Sequence, residues 1–303
     1  MFKIHVMGSA AGGGIPQWNC NCHNCNNTRN NCNNISERTQ SSIAVTVDNN
    51  RWILINSSPD FRFQMNNLMK KYNTSDNIRS NMIKDVILMD SQIDHVTGLL
   101  SMRESRELNI YCTKNTEYEL TNKLNILSVL EYYTKLNKIE IDDKDVLQIE
   151  TVPELEFKFV YLKSRPPPYS KNRNNSQLGD NLGIIIKHKD SKKYIFYVPG
   201  LEEFSDKIID IIRESEYTFL DGTVWLDTEL IDLGISKKSS YDMGHIPVSK
   251  TIEILNTYNI SNKVILIHIN NTNPILDNNS IPNTILSKNM IEIAYDGMEK
   301  IIK

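Results

Sequence analysis

The sequence predicts an α/β layered fold, and three observations lead there. Two early strand-like segments, 42–47 and 52–56, are joined by Asp48-Asn49-Asn50, a hairpin signature. In the last third, strands alternate with helices. Several short apolar strands stop in Asp, His or Asn, and in layered α/β proteins ligand sites form at the carboxyl ends of strands. No repeat of fixed period and no clear linker breaks the chain, so residues 1–303 are expected to form a single domain.

Residues 2–8 read as the first strand, with Ile4 and Val6 on one face. Residues 9–14 are small and glycine-rich. They lack the Lys-Ser/Thr of a P-loop and the spacing of GxGxxG, so they read as a tight turn that lets backbones approach closely. From 19 to 34, nine of sixteen residues are Asn, and such a stretch cannot pack by itself. After the hairpin, 61–72 reads as an amphipathic helix, 85–89 as a short apolar strand with a polar ending, and 96–108 as helix. Residues 118–136 look helical, and 157–162 and 182–187 look like strands. Between those strands lies Arg165-Pro166-Pro167-Pro168-Tyr169, with a polar stretch to Asp180. Three prolines exclude a helix or a central strand. The segment is a long loop, fit to cover a binding site or to be a polyproline ligand of a partner domain. Then come a strand (194–198), a helix (202–214), a strand (217–220), a helix (249–257) with Ser249 as N-cap, and a buried β-branched strand (263–269).

Composition bounds the function. Of 303 residues, 40% are hydrophobic and 23% charged, which suits a globular chain with a sizeable core and excludes a disordered one. Basic residues number 34 and acidic residues 37, a net charge of −3, without the basic excess of a nucleic-acid binder. No run approaches the ~18 apolar residues of a membrane span. The first strand has no export-signal character, so a cytoplasmic location is expected. Five cysteines, four of them at Cys20, Cys22, Cys25 and Cys32, then read as metal ligands rather than a disulfide framework.

The chemistry gathers at strand ends. Asp90-Ser91-Gln92-Ile93-Asp94-His95 follows one strand, and if it stays extended Asp90, Gln92 and Asp94 share a side. A helix cap is the plainer role for either Asp. Asp221-Gly222-Thr223 follows a second strand, and His268 ends a third, ahead of Ile269-Asn270-Asn271-Thr272-Asn273-Pro274. Met243-Gly244-His245-Ile246-Pro247 precedes a helix, so three of the six histidines sit at such places. His188, in a Lys-rich stretch, reads as a solvated surface residue, and a lone His268 would ordinarily be a core residue. Cys20-x-Cys22-x-x-Cys25 fits zinc, which favours tetrahedral sulfur ligation and could order the polar segment around it. His23 reads as a solvated loop residue. The Cys22-x-x-Cys25 spacing also matches a thioredoxin motif, but the helix that motif needs is not evident.

Together these stretches resemble one family. Met7-Gly8-Ser9-Ala10-Ala11-Gly12-Gly13-Gly14, Pro16-Gln17-Trp18-Asn19-Cys20-Asn21-Cys22, Ser57-Ser58-Pro59-Asp60, Gln92-Ile93-Asp94-His95-Val96-Thr97-Gly98-Leu99-Leu100, Tyr197-Val198-Pro199-Gly200, Met243-Gly244-His245-Ile246-Pro247, His268-Ile269-Asn270-Asn271-Thr272-Asn273-Pro274-Ile275-Leu276 and Asp296-Gly297-Met298-Glu299 are similar, in order, to the PqqB family of pyrroloquinoline quinone biosynthesis. That family belongs to the metallo-β-lactamase superfamily. The resemblance implies a four-layer αββα sandwich with a metal site at its strand ends and a structural zinc on the cysteine loop (about 18–34). Superfamily hydrolases carry His-x-His-x-Asp-His and two metals. Here those positions read Asp90-x-Gln92-x-Asp94-His95, which argues against a two-metal hydrolytic centre.

Asp94, His95 and His268 survive, the two-imidazole, one-carboxylate set of non-haem Fe(II) oxygenases. The resemblance thus implies an iron-dependent hydroxylase acting, with dioxygen, on the tyrosine ring of a Glu-Tyr-type peptide or dipeptide. Asp90, Gln92, Asp221 and His245 are expected to supply hydrogen bonds or proton transfer, and Arg165 to hold a substrate carboxylate. The fourth zinc position is left to Cys32 or Asn271, since related hydrolases carry a His at the latter. Other proteins of the pathway and a homodimer stay open as partners; nucleic acid and membrane are not expected. The alternatives are a phosphodiesterase-like metal hydrolase and a carrier of the quinone product.

Overall fold

Fourteen strands form two sheets in a computed structural model that describes residues 1–32, 34–73, 75–79 and 81–303. In the first sheet are β1 (Phe2–Gly8), β2 (Ser42–Thr46), β3 (Trp52–Ile55), β4 (Ile83–Ile87), β5 (Glu107–Cys112) and β6 (Lys135–Glu140). The second holds β7 (Val146–Leu147), β8 (Leu155–Tyr161), β9 (Leu182–His188), β10 (Tyr194–Val198), β11 (Tyr217–Asp221), β12 (Val264–Ile267) and β13 (Glu292–Ile293). The chain's last strand, β14 (Glu299–Ile302), returns to the first sheet and pairs antiparallel with β1. Each sheet is antiparallel at one end and parallel at the other: β3 to β6 run parallel in the first, β10 to β13 in the second.

Central strands such as β2, β3 and β12 are buried along their whole length because each sheet is covered on both faces, and successive side chains go to opposite faces. Phe2, Ile4 and Val6 face Phe157, Phe159, Tyr197 and Phe219 across the shared core. The opposite face of the first sheet, with Leu54, Val86 and Ile110, packs on Leu68, Leu99 and Leu127 from helical segments. On the second sheet, Phe196, Leu220 and Leu266 meet Ile208, Ile212, Ile252 and Leu255 of the helices Asp206–Glu214 and Val248–Thr257. Each such fully buried side chain contributes about 1.5–3 kcal/mol. The result is helix, sheet, sheet, helix, the four-layer order that the resemblance implies. Among the described residues no helix is long and apolar enough to cross a membrane.

Several expected elements differ. Residues 96–108 are not one helix: a turn of helix at Ile93–Val96 runs into a 3₁₀ segment at Thr97–Glu104, and β5 follows. Leu99 and Met102 have helical spacing, but Leu108 and Ile110, two residues apart, belong to a parallel strand. Segment 118–136 splits into Lys114–Asn122 and Ile126–Leu130, separated by Asn125 in the left-handed region (φ 56°), and ends in β6. The helix at Val248 starts before Ser249, and its N-cap is Pro247, so Ser249 caps nothing. The Asn-rich stretch holds a helix, His23–Arg29, whose Asn24 donates from Nδ2 to the carbonyls of Asn271 and Asn273, each at 2.9 Å. That buried amide is thus satisfied by the backbone of the loop that follows β12; Asn33 of that stretch lies outside the described residues. His188 is half-buried at the end of β9 rather than solvated.

Two glycines carry the local architecture of the site. A Cβ on Gly98 would lie 2.1 Å from the Ser58 carbonyl and 2.8 Å from that of Ser57, so only glycine lets the segment after His95 press against the loop after β3. A Cβ on Gly12 would stand 3.3 Å from Asp94 Oδ2, which explains the bare backbone of the glycine-rich turn.

Candidate functional site

The parallel strands β4, β11 and β12 all end on one rim of the sandwich. Beyond β4 the chain runs through Asp90 to Asp94 and His95, beyond β11 through Asp221 to Thr223, and beyond β12 straight into His268. His268 sits in the left-handed region (φ 59°), uncommon for a residue other than glycine and worth about 1–3 kcal/mol of strain. Asp90, Gln92, Asp94, His95, His245, His268 and Arg165 all line one cavity of about 320 Å³. Asp221 lies beneath its wall, fully buried and hydrogen-bonded to two residues that line it.

Asp94, His95 and His268 each present a ligand atom within 4.8 Å of the others. His95 Nδ1 lies 2.9 and 2.8 Å from the two oxygens of Asp90. A carboxylate only accepts, so Nδ1 carries a proton, and in the neutral ring, the form that binds a metal, Nε2 has the lone pair. That Nε2 is buried and has no hydrogen-bond partner. Its nearest charged neighbour is Asp94 Oδ2, at 4.0 Å. His268 Nε2 is 3.2 Å from the same oxygen, and its Nδ1 is 2.9 Å from Thr223 Oγ1. The hydroxyl of Thr223 donates in turn to Asp221 Oδ1 at 2.6 Å.

An orphaned imidazole nitrogen beside a carboxylate and a second imidazole, each held from behind, fits a divalent metal. Carboxylate–imidazole pairs of the Asp90–His95 kind are what orients metal-binding histidines. The extended reading of 90–94 holds only to Gln92, because helix begins at Ile93. Asp90 therefore turns back onto His95 instead of lying beside Asp94. Gln92 donates from its side-chain amide to the Arg165 carbonyl at 3.3 Å, and so ties this loop to the proline-rich one. Tyr169 adds a second tie, its hydroxyl donating to the Ser91 carbonyl.

A second group, Asp221, His245 and His268, also lies within 4.8 Å. Here His245 Nδ1 donates to Asp221 Oδ2 at 2.6 Å, and its ring stacks at 5.5 Å on His268. Electrostatics follow the pairing. Burial alone would lower the pKa of His95, but the charges of Asp90 and Asp94 push it up to about 9. Burial likewise works against His245, and Asp221 raises it. Against burial, His95 and His268 hold Asp94 well below the usual carboxylate range, and His245 does the same for Asp221.

The cysteine loop makes a separate cluster. Cys20, Cys22 and Cys25 bring their sulfurs within 4.8 Å of one another. Asn271 Nδ2 closes the fourth side, 3.0, 3.6 and 3.2 Å from Cys20, Cys22 and Cys25. Cys32 is not brought into the group; it lies past the helix, its N–H donating to the Asn27 carbonyl at 2.9 Å. Of the two fourth-position candidates, the fold brings up Asn271. Burial pushes the Cys22 thiol up to about 12, unfavourable for the bare thiolate that a cation would stabilise. Three converging sulfurs fit a soft tetrahedral metal. His23 is 68% exposed, and its Nε2 lies 3.0 Å from both Asp277 Oδ2 and Asn27 Nδ2.

Some site residues escaped sequence reasoning. Thr223 links Asp221 to both His245 and His268; its signal was the Asp221-Gly222-Thr223 strand ending, but nothing local told its role. Arg173 and Lys238 line the cavity. They sit in polar stretches with no pattern to single them out.

A beta-lactamase superfamily domain model matches residues 51–269. Coenzyme PQQ synthesis protein B of Acinetobacter baumannii (strain ACICU) is 42% identical over 300 residues, 98% of each chain. That of Methylobacillus flagellatus (strain ATCC 51484) is 42% identical over 305 residues, 99% of each. Zn(2+)-bound PqqB from Methylobacterium extorquens superposes with a TM-score of 0.85 at 28% identity, covering 99% of this chain and 100% of that one. A diphosphatase of the PhnP family matches at TM-score 0.67 and 16% identity, over 99% and 96%, a likeness of fold alone.

Proposed function

The chain belongs to the PqqB family of the metallo-β-lactamase superfamily, and from that premise we propose that it acts in pyrroloquinoline quinone synthesis as an Fe(II)-dependent hydroxylase of a tyrosine ring in a Glu-Tyr-type unit. One observation carries the reading. Where superfamily hydrolases place two leading histidines, this chain has Asp90 and Gln92, and both side chains face away from metal ligation, onto His95 and the Arg165 carbonyl. What remains is two imidazoles and one carboxylate, a set that suits Fe(II) and leaves coordination positions open. Iron held by Asp94, His95 and His268 would supply the activation of dioxygen.

The chain's own residues do the rest. Asp90 fixes the His95 ring and its tautomer. Thr223 fixes His268. His245, its Nδ1 proton committed to Asp221, offers Nε2 to the cavity and is placed to take the phenolic proton of the substrate. The proline-rich loop borders the cavity with Arg165 and Pro168 and is anchored by Gln92 and Tyr169. Cys20, Cys22 and Cys25, with Asn271 beside them, would hold a structural zinc; a PqqB from Methylobacterium extorquens is zinc-bound.

A metal hydrolase is the second reading, favoured by the second ligand-like group at Asp221, His245 and His268. An oxygen-electrode assay with a Glu-Tyr dipeptide separates the two. With a two-electron reductant such as ascorbate supplied, hydroxylated product should form only when Fe(II), oxygen and the dipeptide are all present, one oxygen atom entering the ring and the other leaving as water. Equal turnover without oxygen, or phosphodiester cleavage with zinc or manganese, overturns the hydroxylase.

A further inference from the structure

The cysteine cluster opens onto a cavity of its own. It measures about 540 Å³ and is lined by Cys20, Cys22 and Asn271 together with the apolar Leu230, Leu233 and Ile235. Leu233 and Ile235 are more than half exposed. Large apolar side chains left uncovered at a concave surface mark a place where something binds. The donor set points the same way. Zinc takes thiolate sulfur, imidazole nitrogen or carboxylate oxygen, and a structural site is closed by four such groups. Among the described residues only three converge here. The fourth face belongs to the Asn271 amide, whose nitrogen has no lone pair to give and whose oxygen is a neutral, hard donor. Neither atom competes with a thiolate for a soft metal. The sulfurs are meanwhile set to carry negative charge: Cys25 accepts from the Gln17 N–H at 3.3 Å and Cys20 from the Cys22 N–H at 3.4 Å.

We propose that the Cys20–Cys22–Cys25 centre is an exchangeable site rather than a closed one, and that a small thiol with an apolar body, seated in this cavity, displaces the Asn271 amide as fourth ligand. The inference rests on metal binding by the three cysteines and is independent of the hydroxylase reading. In the exchange the thiol gives its proton to solvent, its sulfur takes the place of the amide, and no electron is transferred. Leu230, Leu233 and Ile235 then cover the organic group. The cavity lies within the ~300–1,000 Å³ range of small-molecule sites. Leu230 and Asn270 also line the strand-end cavity, so the occupant sits behind the wall of the reaction cavity and not in it.

Cobalt substitution tests this, because thiolate-to-cobalt charge-transfer absorption reports the sulfur donors themselves. The full chain, stripped of metal and reloaded with Co(II), is titrated under argon with benzyl mercaptan and with mercaptoethanol. The charge-transfer band should grow as a fourth sulfur joins. Benzyl mercaptan should bind about tenfold tighter or more, for the ring it buries. Asn271→His, which puts a strong ligand in the fourth place, should keep the three-sulfur band and respond to neither thiol. Leu233→Ser, at an exposed position, should keep the mercaptoethanol affinity and narrow the preference for benzyl mercaptan by about threefold or more. A wild-type band that ignores both thiols, or that vanishes as they strip the cobalt, overturns the proposal. So does an Asn271→His protein that responds like wild type, which would place the thiol at the strand-end metal, and so does an unchanged preference in Leu233→Ser, which would place it outside this cavity. A wild type with no charge-transfer band at all overturns metal binding by the cysteines, and the exchange with it.

Discussion

Replacing Asp90 by Asn isolates what a residue that touches no metal does for one that would. The Asp90 carboxylate is buried and holds His95 Nδ1 at 2.8 and 2.9 Å. Asn keeps the size and one acceptor oxygen but loses the charge. It can also present its amide to the ring and favour the tautomer whose lone pair points the wrong way. A hydrogen bond to a charged partner contributes about 1.5–3 kcal/mol. At about 1.4 kcal/mol per decade this predicts a ten- to hundredfold weaker metal site, the range seen when such supporting partners are removed. His268→Ala removes one of three ligand side chains and should cost more. His245→Gln removes none of them and should spare the metal while lowering turnover. The assay is an anaerobic Fe(II) titration against a chromophoric chelator, run on all three variants and the wild type. An Asp90→Asn affinity within twofold of wild type would refute the argument that Asp90 acts through His95. So would a His245→Gln loss as large as that of His268→Ala, because it would move the metal to the other group.

Two further outcomes follow from the geometry. At the cysteine cluster, Cys22→Ser should lower zinc content, Cys32→Ser should not, and Asn271→His should tighten zinc by putting an imidazole where an amide now faces three sulfurs; zinc release to a chelator measures all three, and a Cys32→Ser protein that loses its metal would contradict the geometry. Near the β1–β14 pairing, burial would raise Glu299, but hydrogen bonds from Lys71, Tyr72 and His5 hold it down at about 2, against 4.5 unfolded. A depressed carboxylate stabilises the fold above its unfolded pKa and loses that contribution as pH falls toward the folded value. Unfolding free energies from urea titration should therefore fall between pH 5 and 3 more steeply in the wild type than in Glu299→Gln, by up to about 2 kcal/mol less what water screens; parallel pH profiles would refute it.

Much of this molecule is legible in one dimension, for reasons that name themselves. The β2–β3 hairpin is readable because its turn chemistry is local. Asp94, His95 and His268 are readable because each interrupts an apolar pattern with a group that binds metals, and a resemblance over the whole chain supports them. What fails to show is tertiary. β5 hides because it follows a helical segment with only two residues between, Thr97–Glu104 to Glu107, and its parallel partners, β4 and β6, are not local in sequence. The helix His23–Arg29 hides because its stabilising partners are carbonyls nearly 250 residues away. Cys32 looks like a ligand by proximity in sequence, yet Asn271 is nearer in space. Arg173 and Lys238 carry no pattern, because a charge on a loop means nothing until the loop is folded over a cavity.

The division of the site between the two sheets has a physical consequence. Asp94 and His95 follow β4 of the first sheet, whereas His268 and Asp221 follow β12 and β11 of the second. Neither sheet alone owns a complete ligand set, so the cluster exists only once the central core has packed. The cysteine loop repeats the logic, with its sulfurs near the N-terminus and Asn271 just past β12. Hence the loop after β12 serves both clusters, His268 toward one and Asn271 toward the other, three residues apart. A metal at either cluster therefore stabilises the docking of the same loop, and binding free energy there is folding free energy. The strained left-handed backbone of His268 is held by that double anchorage, with Thr223 on one side and the Asn24 amide, bonded to the carbonyls of Asn271 and Asn273, on the other.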